Sequence, residues 1–226
     1  MSLTTPDAET LRNRIAELMP QVRADLETLV RIRSIKFPGY ETADVVRGGE
    51  ACAQLLREAG ADPVLIPSSS GVPTVRADVP GPPGSPTVLL YSHYDVQPAG
   101  DESKWHSDAF TPDERDGRLY ARGAADDKSG VITHIAVLRA FDGKPPVNLR
   151  ILLEGEEEYG GDFEEWPTTR PEVFADLDAA VICDMGNVEI GQPTFTTQLR
   201  GIIEGVVTVS TLAEPRHRGR FGGPAP

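Results

Sequence analysis

One histidine and several carboxylates in this 226-residue chain follow short apolar runs, and their types and spacing suit metal-dependent hydrolysis. His93 and Asp95 come directly after the apolar run at residues 87–91. A metal-bound imidazole coordinates through one ring nitrogen and donates its other N–H to a carboxylate or carbonyl, so an aspartate two residues away can orient the ring. A lone His-x-Asp pair is more typical of a hydrogen-bonded strand end than of a metal site. The metal hypothesis therefore depends on the other carboxylates.

Two adjacent aspartates, Asp126 and Asp127, follow a glycine-containing turn and begin a predicted helix. An N-cap explains one of them, because aspartate is a preferred cap and suits the helix dipole. Two neighbouring carboxylates repel each other unless a cation or a proton lies near them. A bridging metal ligand is therefore a reasonable use of the other aspartate.

Another apolar run is followed by a dense acidic segment at residues 154–158, which includes Glu157 and Glu158. A solvated acidic loop is one interpretation of this segment. Hydrolysis by zinc gives a second interpretation, because it needs one carboxylate on the metal and another, unliganded, to carry a proton from water to the leaving amine. Adjacent glutamates at a strand end can divide these two roles.

A further carboxylate, Asp184, follows the apolar run at residues 180–183. With His93, Asp126 and Glu158 it supplies the nitrogen and oxygen ligands that a zinc pair accepts. A single zinc ion needs fewer ligands, so the residue types leave the number of ions open. Nucleotide binding and serine-hydrolase chemistry have no support, because neither a phosphate-binding glycine motif nor a Gly-x-Ser-x-Gly elbow occurs.

The segments around these residues predict an α/β fold. Apolar residues recur at helical spacing in three segments: 8–33, 42–59 and 127–141. Pro20 is expected to kink the first helix or divide it into two. Short β-rich runs predict strands at six places: 63–66, 74–79, 87–91, 118–121, 147–153 and 179–183. This alternation implies a mostly parallel sheet with helices on both faces, whose ligands bind beyond the carboxyl ends of the strands.

Composition limits the partners and the location of the protein. The net charge is -13, from 35 acidic and 22 basic residues, so nucleic acid and anionic membranes are expected to be repelled. Two cysteines, Cys52 and Cys183, cannot form a disulfide framework or a Cys-rich zinc module. The polar N-terminus and the lack of a long apolar stretch predict no signal peptide and no membrane span, and we expect a cytoplasmic protein.

The chain resembles the M20 metallopeptidases, which include carnosinase-like dipeptidases, aminoacylases and succinyl-diaminopimelate desuccinylases, in four ordered motifs: residues 93–98, 123–128, 154–158 and 199–201. This resemblance implies a zinc-exopeptidase-like catalytic domain with two zinc ions, for which Mn²⁺ or Co²⁺ could substitute. Four residues would bind metal: His93 and Asp184 the first ion, Glu158 the second, and Asp126 both. Glu157 would be the general base, and Asp95 the supporting carboxylate beside His93.

The resemblance also bears on domains and partners. Residues 194–199 and 203–209 alternate as two further strands. We expect the N-terminal part of the catalytic domain at residues 1–200 and the start of an incomplete lid or dimerisation domain at 201–226. There His217 resembles a lid histidine that binds substrate, often across the interface of a homodimer, although the family usually has serine where Arg218 stands.

The leading hypothesis is hydrolysis of dipeptides or short peptides by a metal-activated water, because Gln97-Pro98 and Asp126-Asp127-Lys128 are more similar to the dipeptidase branch than to the deacylases. Two alternatives stay open: an M20-type deacylase acting on N-acyl amino acids, and a non-catalytic acidic metal-binding protein. Family members are longer and supply a last histidine ligand near their C-terminus. We therefore expect this chain to be an incomplete and poorly active fragment.

Overall fold

The computed structural model of this protein describes residues 6–201, 203 and 205–209. The chain divides into a first unit that ends at Gly186 and a second that begins at Asn187. His217 lies outside the described residues, so its substrate-binding role, the lid and the homodimer stay predictions, as does the domain boundary at residue 200. Among the described helices, none has the length and apolar character needed to cross a membrane.

The first unit contains the secondary structure that positions the candidate site. Its strands are β1 (Val64–Pro67), β2 (Pro73–Val79), β3 (Thr87–His93), β4 (Asp113–Arg115), β5 (Arg118–Tyr120), β6 (Asn148–Glu154) and β7 (Ala179–Ile182). Its α-helices are α1 (Ala8–Val30), α2 (Thr42–Glu58), α3 (Lys128–Ala140) and α4 (Trp166–Thr169).

Five strands form the central sheet, in the order β1-β2-β6-β3-β7. Strand β3 pairs in parallel with both β6 and β7, and β2 pairs antiparallel with β1 and β6. The parallel strands thus lie side by side, and the β1–β2 hairpin extends the sheet at one edge. Strands β4 and β5 form a separate antiparallel pair. The predicted α/β fold is confirmed.

Helices cover both faces of the sheet, as predicted. Ile151 and Leu153 of β6 are fully buried in the cluster that also contains the apolar side chains of α1, α2 and α3. Leu152, which points the opposite way because side chains alternate along a strand, packs with Trp166 of α4. Burial of each such side chain contributes about 1.5–3 kcal/mol, so the two clusters fix β6 and its neighbour β3 in the middle of the core.

Of the two outcomes expected at Pro20, a kink or a division of the first helix, the division is wrong. Helix α1 runs from Ala8 to Val30 with Pro20 inside it. Proline removes one backbone hydrogen bond and disfavours the preceding turn. The residues after it nevertheless pack their apolar side chains onto the core, since Leu29 is buried and both Val22 and Leu26 contact the same cluster. This packing keeps the helix continuous.

The strand predicted at residues 194–199 is also wrong. These residues have no regular structure, and Phe195 is 89% exposed. Alternating apolar residues form a strand where a neighbouring strand and a buried face are available. In the described part of the second unit, neither is present at these residues. The strand predicted at 203–209 falls partly outside the described residues, and the described ones show no strand there.

Candidate metal centre

His93 lies at the centre of the candidate site, because it ends β3 between the ends of β6 and β7. Parallel pairing places it opposite Glu154, the last residue of β6. Its side chain is almost fully buried, and its Nε2 faces three carboxylates. The distances are 3.2 Å to Asp126 Oδ1, 3.7 Å to Glu157 Oε2 and 3.9 Å to Asp184 Oδ1. Residues that are far apart in the sequence therefore meet at one edge of the sheet.

Two groups of side chains in the described residues could each hold a metal ion: His93 with Asp126 and Glu158, and His93 with Asp127 and Asp184. Within each group, one possible ligand atom from every residue lies within 4.8 Å of the others. One imidazole nitrogen with several carboxylate oxygens is a donor set that zinc and other divalent cations accept. The residues present therefore fit a divalent metal, and all four predicted ligands belong to these groups.

Asp127 combines a structural role with its place in one of the two candidate ligand groups. Its Oδ1 accepts the backbone N–H of Gly130 at 3.2 Å and caps α3, while its Oδ2 accepts the N–H of His93 at 3.1 Å. Burial raises the pKa of Asp127 to about 7. A Cβ at Gly130 would lie 2.3 Å from both Asp127 Oδ1 and the Cys183 carbonyl oxygen, so α3 can begin this close to the site because residue 130 is glycine.

Asp95 is fully buried and joins the loop after β3 to the loop after β6. Its Oδ1 lies 3.3 Å from Nδ1 of His93, as expected for a carboxylate that orients a metal-binding imidazole. The same carboxylate accepts the backbone N–H groups of Glu157 at 3.2 Å and Glu158 at 3.1 Å. The predicted support of His93 is therefore accompanied by a second role, which the sequence did not indicate: Asp95 holds the backbone that carries both glutamates.

Gln97 contacts the candidate ligand Glu158, although its sequence motif indicated only a similarity to the dipeptidase branch. Its backbone N–H donates to Oε1 of Glu158 at 3.2 Å, and its side-chain Nε2 donates to Oε2 at 2.7 Å. Both oxygens of Glu158 are thereby oriented from the loop that directly follows His93. The sequence signal for Gln97 was its position, four residues after His93 in the loop that follows β3.

The electrostatics of the site favour a bound cation. Although burial disfavours the imidazolium, the hydrogen bond and charge of Asp95 raise the pKa of His93 to about 10. Burial, together with neighbouring carboxylates, raises the pKa values of Glu157, Glu158 and Asp184 above their ordinary range. Crowded carboxylates relieve their repulsion by binding protons or a cation. Divalent metal would therefore stabilise their ionised forms.

Two residues near the motifs serve the scaffold. The buried Lys128 ammonium donates to the carbonyl oxygens of Leu29 at 2.9 Å and Ile32 at 2.7 Å, so it satisfies the end of α1. His134 donates from Nε2 to the carbonyl oxygen of Tyr91 at 2.9 Å and ties α3 to β3. Both contacts fix the elements that carry the site.

Glu154 gives a testable pH dependence in the metal-free protein. It accepts the hydroxyl hydrogen of Tyr91 at 2.7 Å, and burial raises its pKa from 4.5 to about 7. The folded state thus binds more protons than the unfolded state between these pH values, and the free energy of unfolding should fall as the pH rises through this window. Glu154→Gln should remove this contribution, as measured by urea denaturation at pH 4.5 and 7.5.

The control for this comparison is Glu58→Gln, at an exposed position of α2. It should keep the wild-type pH dependence. Equal pH dependence in the wild type and in Glu154→Gln would contradict the proposed proton uptake by Glu154.

The sequence and the fold were compared with known proteins. Peptidase family M20/M25/M40 matches residues 89–205. A cysteinylglycine-S-conjugate dipeptidase of Corynebacterium striatum is 43% identical over 76% of this chain and 38% of its own length. A Beta-Ala-His dipeptidase of Rattus norvegicus is 36% identical over 70% of this chain and 34% of its own length.

The fold is similar to solved structures of dipeptidases as well. Human carnosine dipeptidase 1 superposes with a TM-score of 0.72 and 29% identity, over 80% of this chain and 42% of that one. The dipeptidase Dug1p of Saccharomyces cerevisiae has a TM-score of 0.70 and 27% identity, over 78% of this chain and 40% of that one. The matches therefore span about two fifths of the length of these relatives. Because the family match extends over more than half of the sequence, this chain belongs to peptidase family M20/M25/M40.

Proposed function

We propose that this chain carries the metal centre of a dipeptidase, which hydrolyses the peptide bond of dipeptides or short peptides with two zinc ions. One observation carries the proposal: Nε2 of His93 lies within 3.9 Å of carboxylates from three separate segments, Asp126, Glu157 and Asp184. The relatives support the substrate class, because those of Corynebacterium striatum and Rattus norvegicus are both named dipeptidases.

The two side-chain groups share His93; one adds Asp127 and Asp184, and the other adds Asp126 and Glu158. We take the assignment from the M20 resemblance: His93 and Asp184 would hold the first ion, Glu158 would hold the second, and Asp126 would be shared. When bound, the ions polarise the peptide carbonyl and lower the pKa of water, and Mn²⁺ or Co²⁺ could substitute for zinc because these ions accept similar ligands. Gln97 and Asp95 keep Glu158 oriented without binding metal themselves.

Glu157 is the proposed general base. It belongs to neither ligand group, and its side chain is 40% exposed, so substrate and water can reach it. Asp95 fixes its backbone N–H, and burial raises its pKa toward the range in which a carboxylate exchanges protons near neutral pH. The carboxylate would take a proton from the attacking water and pass it to the leaving amine.

Zinc titration of the 226-residue chain tests the metal centre. Zinc should raise the melting temperature. An ion that binds only the folded state and is present at 100 times its Kd raises the free energy of unfolding by about 2.7 kcal/mol. The same titration of His93→Ala should show a much smaller shift, whereas His106→Ala, at an exposed histidine outside both groups, should behave like the wild type. An unchanged melting temperature for the wild type would favour a non-catalytic acidic protein.

Substrate choice separates the remaining alternative, hydrolysis of N-acyl amino acids. This alternative has support from a relative, a succinyl-diaminopimelate desuccinylase of Leptothrix cholodnii, which is 33% identical over 63% of this chain. Turnover of the metal-loaded protein should be measured on Cys-Gly, β-Ala-His and a panel of N-acyl amino acids. Faster turnover of the N-acyl compounds would reject the dipeptidase proposal and leave the metal centre in place.

A further inference from the structure

The segment Glu156 to Asp162, here called the acidic loop, carries both Glu157 and Glu158, and its two ends are bonded to the turn between β1 and β2. At the first end, the Ser70 hydroxyl donates to Oε1 of Glu156 at 2.6 Å. At the second end, the backbone N–H and the hydroxyl of Ser69 donate to the two carboxylate oxygens of Asp162 at 2.6 and 2.7 Å. One short turn therefore contacts both ends of the loop.

Lys36 adds a charge to the first of these contacts. Its Nζ lies 2.7 Å from Oε1 of Glu156 and 3.0 Å from the hydroxyl oxygen of Ser70. The Lys36 and Glu156 side chains are 17% and 7% exposed, so solvent screens this pair less than a surface pair. Removing the ammonium group of Lys36 would leave the buried Glu156 carboxylate without its countercharge.

Phe37, which follows Lys36, makes a second contact between this segment and the acidic loop. The ring of Phe37 packs on the ring of Tyr159 in the acidic loop, with 4.9 Å between the centroids. Tyr159 directly follows Glu158, and Lys36 directly precedes Phe37. Adjacent side chains of one segment thus contact the loop on both sides of its two glutamates.

The acidic loop is compact, so a movement of Glu156 at its first end should also move Glu157 and Glu158. The N–H of Gly160 donates to the carbonyl oxygen of Glu156 at 2.8 Å, and a Cβ at Gly161 would lie 2.7 Å from Cβ of Glu156. Glu157 and Glu158 lie inside this closed turn. Their backbone positions therefore depend on where Glu156 is held.

We propose that Lys36 and the turn residues Ser69 and Ser70 form a clasp that positions Glu157 and Glu158 through the ends of the acidic loop. These are positioning residues, whose side-chain contacts with the loop go to Glu156 and Asp162 and not to the ligand atoms of the proposed metal centre. The inference rests on the proposed function, and it adds a determinant of metal affinity from a separate part of the chain. Partners that orient metal ligands typically contribute 10–100-fold to affinity.

The test uses Co²⁺ as the probe, because its visible absorption reports coordination. Lys36→Met and Ser70→Ala in the 226-residue chain should each weaken Co²⁺ binding about tenfold and change the absorption spectrum. Lys36→Arg should restore both, since it keeps the charge and the reach. Lys144→Met, at an exposed lysine, is the matched control and should match the wild type.

Hydrogen exchange of the metal-free protein provides the second measurement. Amides of the acidic loop should exchange faster in Lys36→Met than in Lys144→Met, while those of α2 stay protected equally. Unchanged loop exchange, or Co²⁺ affinity and spectrum equal to the wild type, would overturn the clasp. Failure of the wild type to bind Co²⁺ would instead overturn the proposed metal centre, and the exchange comparison would still decide the clasp.

Discussion

In a longer, fully active form of this protein, Glu157→Gln is expected to lower dipeptide turnover by about 10²–10⁴-fold, the usual contribution of a positioned general base. Glutamine preserves the size of the side chain and removes its ability to accept a proton. The metal content should stay at the wild-type level, because Glu157 lies outside both candidate ligand groups. The effect should therefore fall on kcat, measured with a dipeptide at saturating concentration, with the bound metal quantified in the same sample.

The control is Glu172→Gln, which changes an exposed glutamate outside the site. It should retain the wild-type kcat. A Glu157→Gln protein with unaltered kcat would show that another group carries the proton. Loss of metal from this variant would instead show that Glu157 is a ligand.

Asp95→Ala should lower the free energy of unfolding by about 2 kcal/mol, because it leaves two partly buried donors without their acceptor and each costs near the lower end of about 1–3 kcal/mol. The donors are the backbone N–H groups of Glu157 and Glu158, and Nδ1 of His93 loses its neighbouring carboxylate. Loss of these contacts should also weaken metal binding. Urea denaturation of the metal-free chain measures the first effect, and zinc titration measures the second.

Two variants make this prediction specific. Asp95→Asn keeps one side-chain acceptor oxygen and should lose less stability than Asp95→Ala. Asp62→Ala, at an exposed aspartate, should change stability by less than about 0.5 kcal/mol. If Asp95→Ala were as stable as Asp62→Ala, Asp95 would not hold the two loops together.

The sequence predicted which site residues lie at strand ends, because these polar residues directly follow strongly apolar runs. His93 ends β3 and Asp184 lies just after β7, and the parallel pairing of these strands brings their ends together. This step needs only hydrophobic periodicity and the topology of α/β sheets. The meeting of these strand ends was therefore predictable from the sequence, whereas the roles of the individual side chains rest on the family resemblance.

The contacts that hold the set together were not predictable in the same way. Lys36 and Glu156 are 120 residues apart, and no periodic pattern relates the polar loops that carry them. Pro20 shows the opposite case, since a strong local rule predicted a kink or a division of α1, and packing against the core prevents the division. Local sequence patterns indicate helices and strands. Contacts between loops depend on how the core is assembled, and so does the result when a local rule and core packing favour different structures.

Strand β7 has a consequence for the behaviour of the protein in solution. Among the described residues it forms one edge of the central sheet, and its exposed residues include Ile182, which is 63% exposed. An edge strand offers unpaired backbone groups to which a strand of another molecule can add, and such addition can continue into aggregates. The net charge of -13 opposes this approach, but salt shortens the range of the repulsion to about 8 Å at physiological ionic strength. Colloidal stability of this chain thus depends on the balance between strand addition at this sheet edge and an electrostatic repulsion that salt screens.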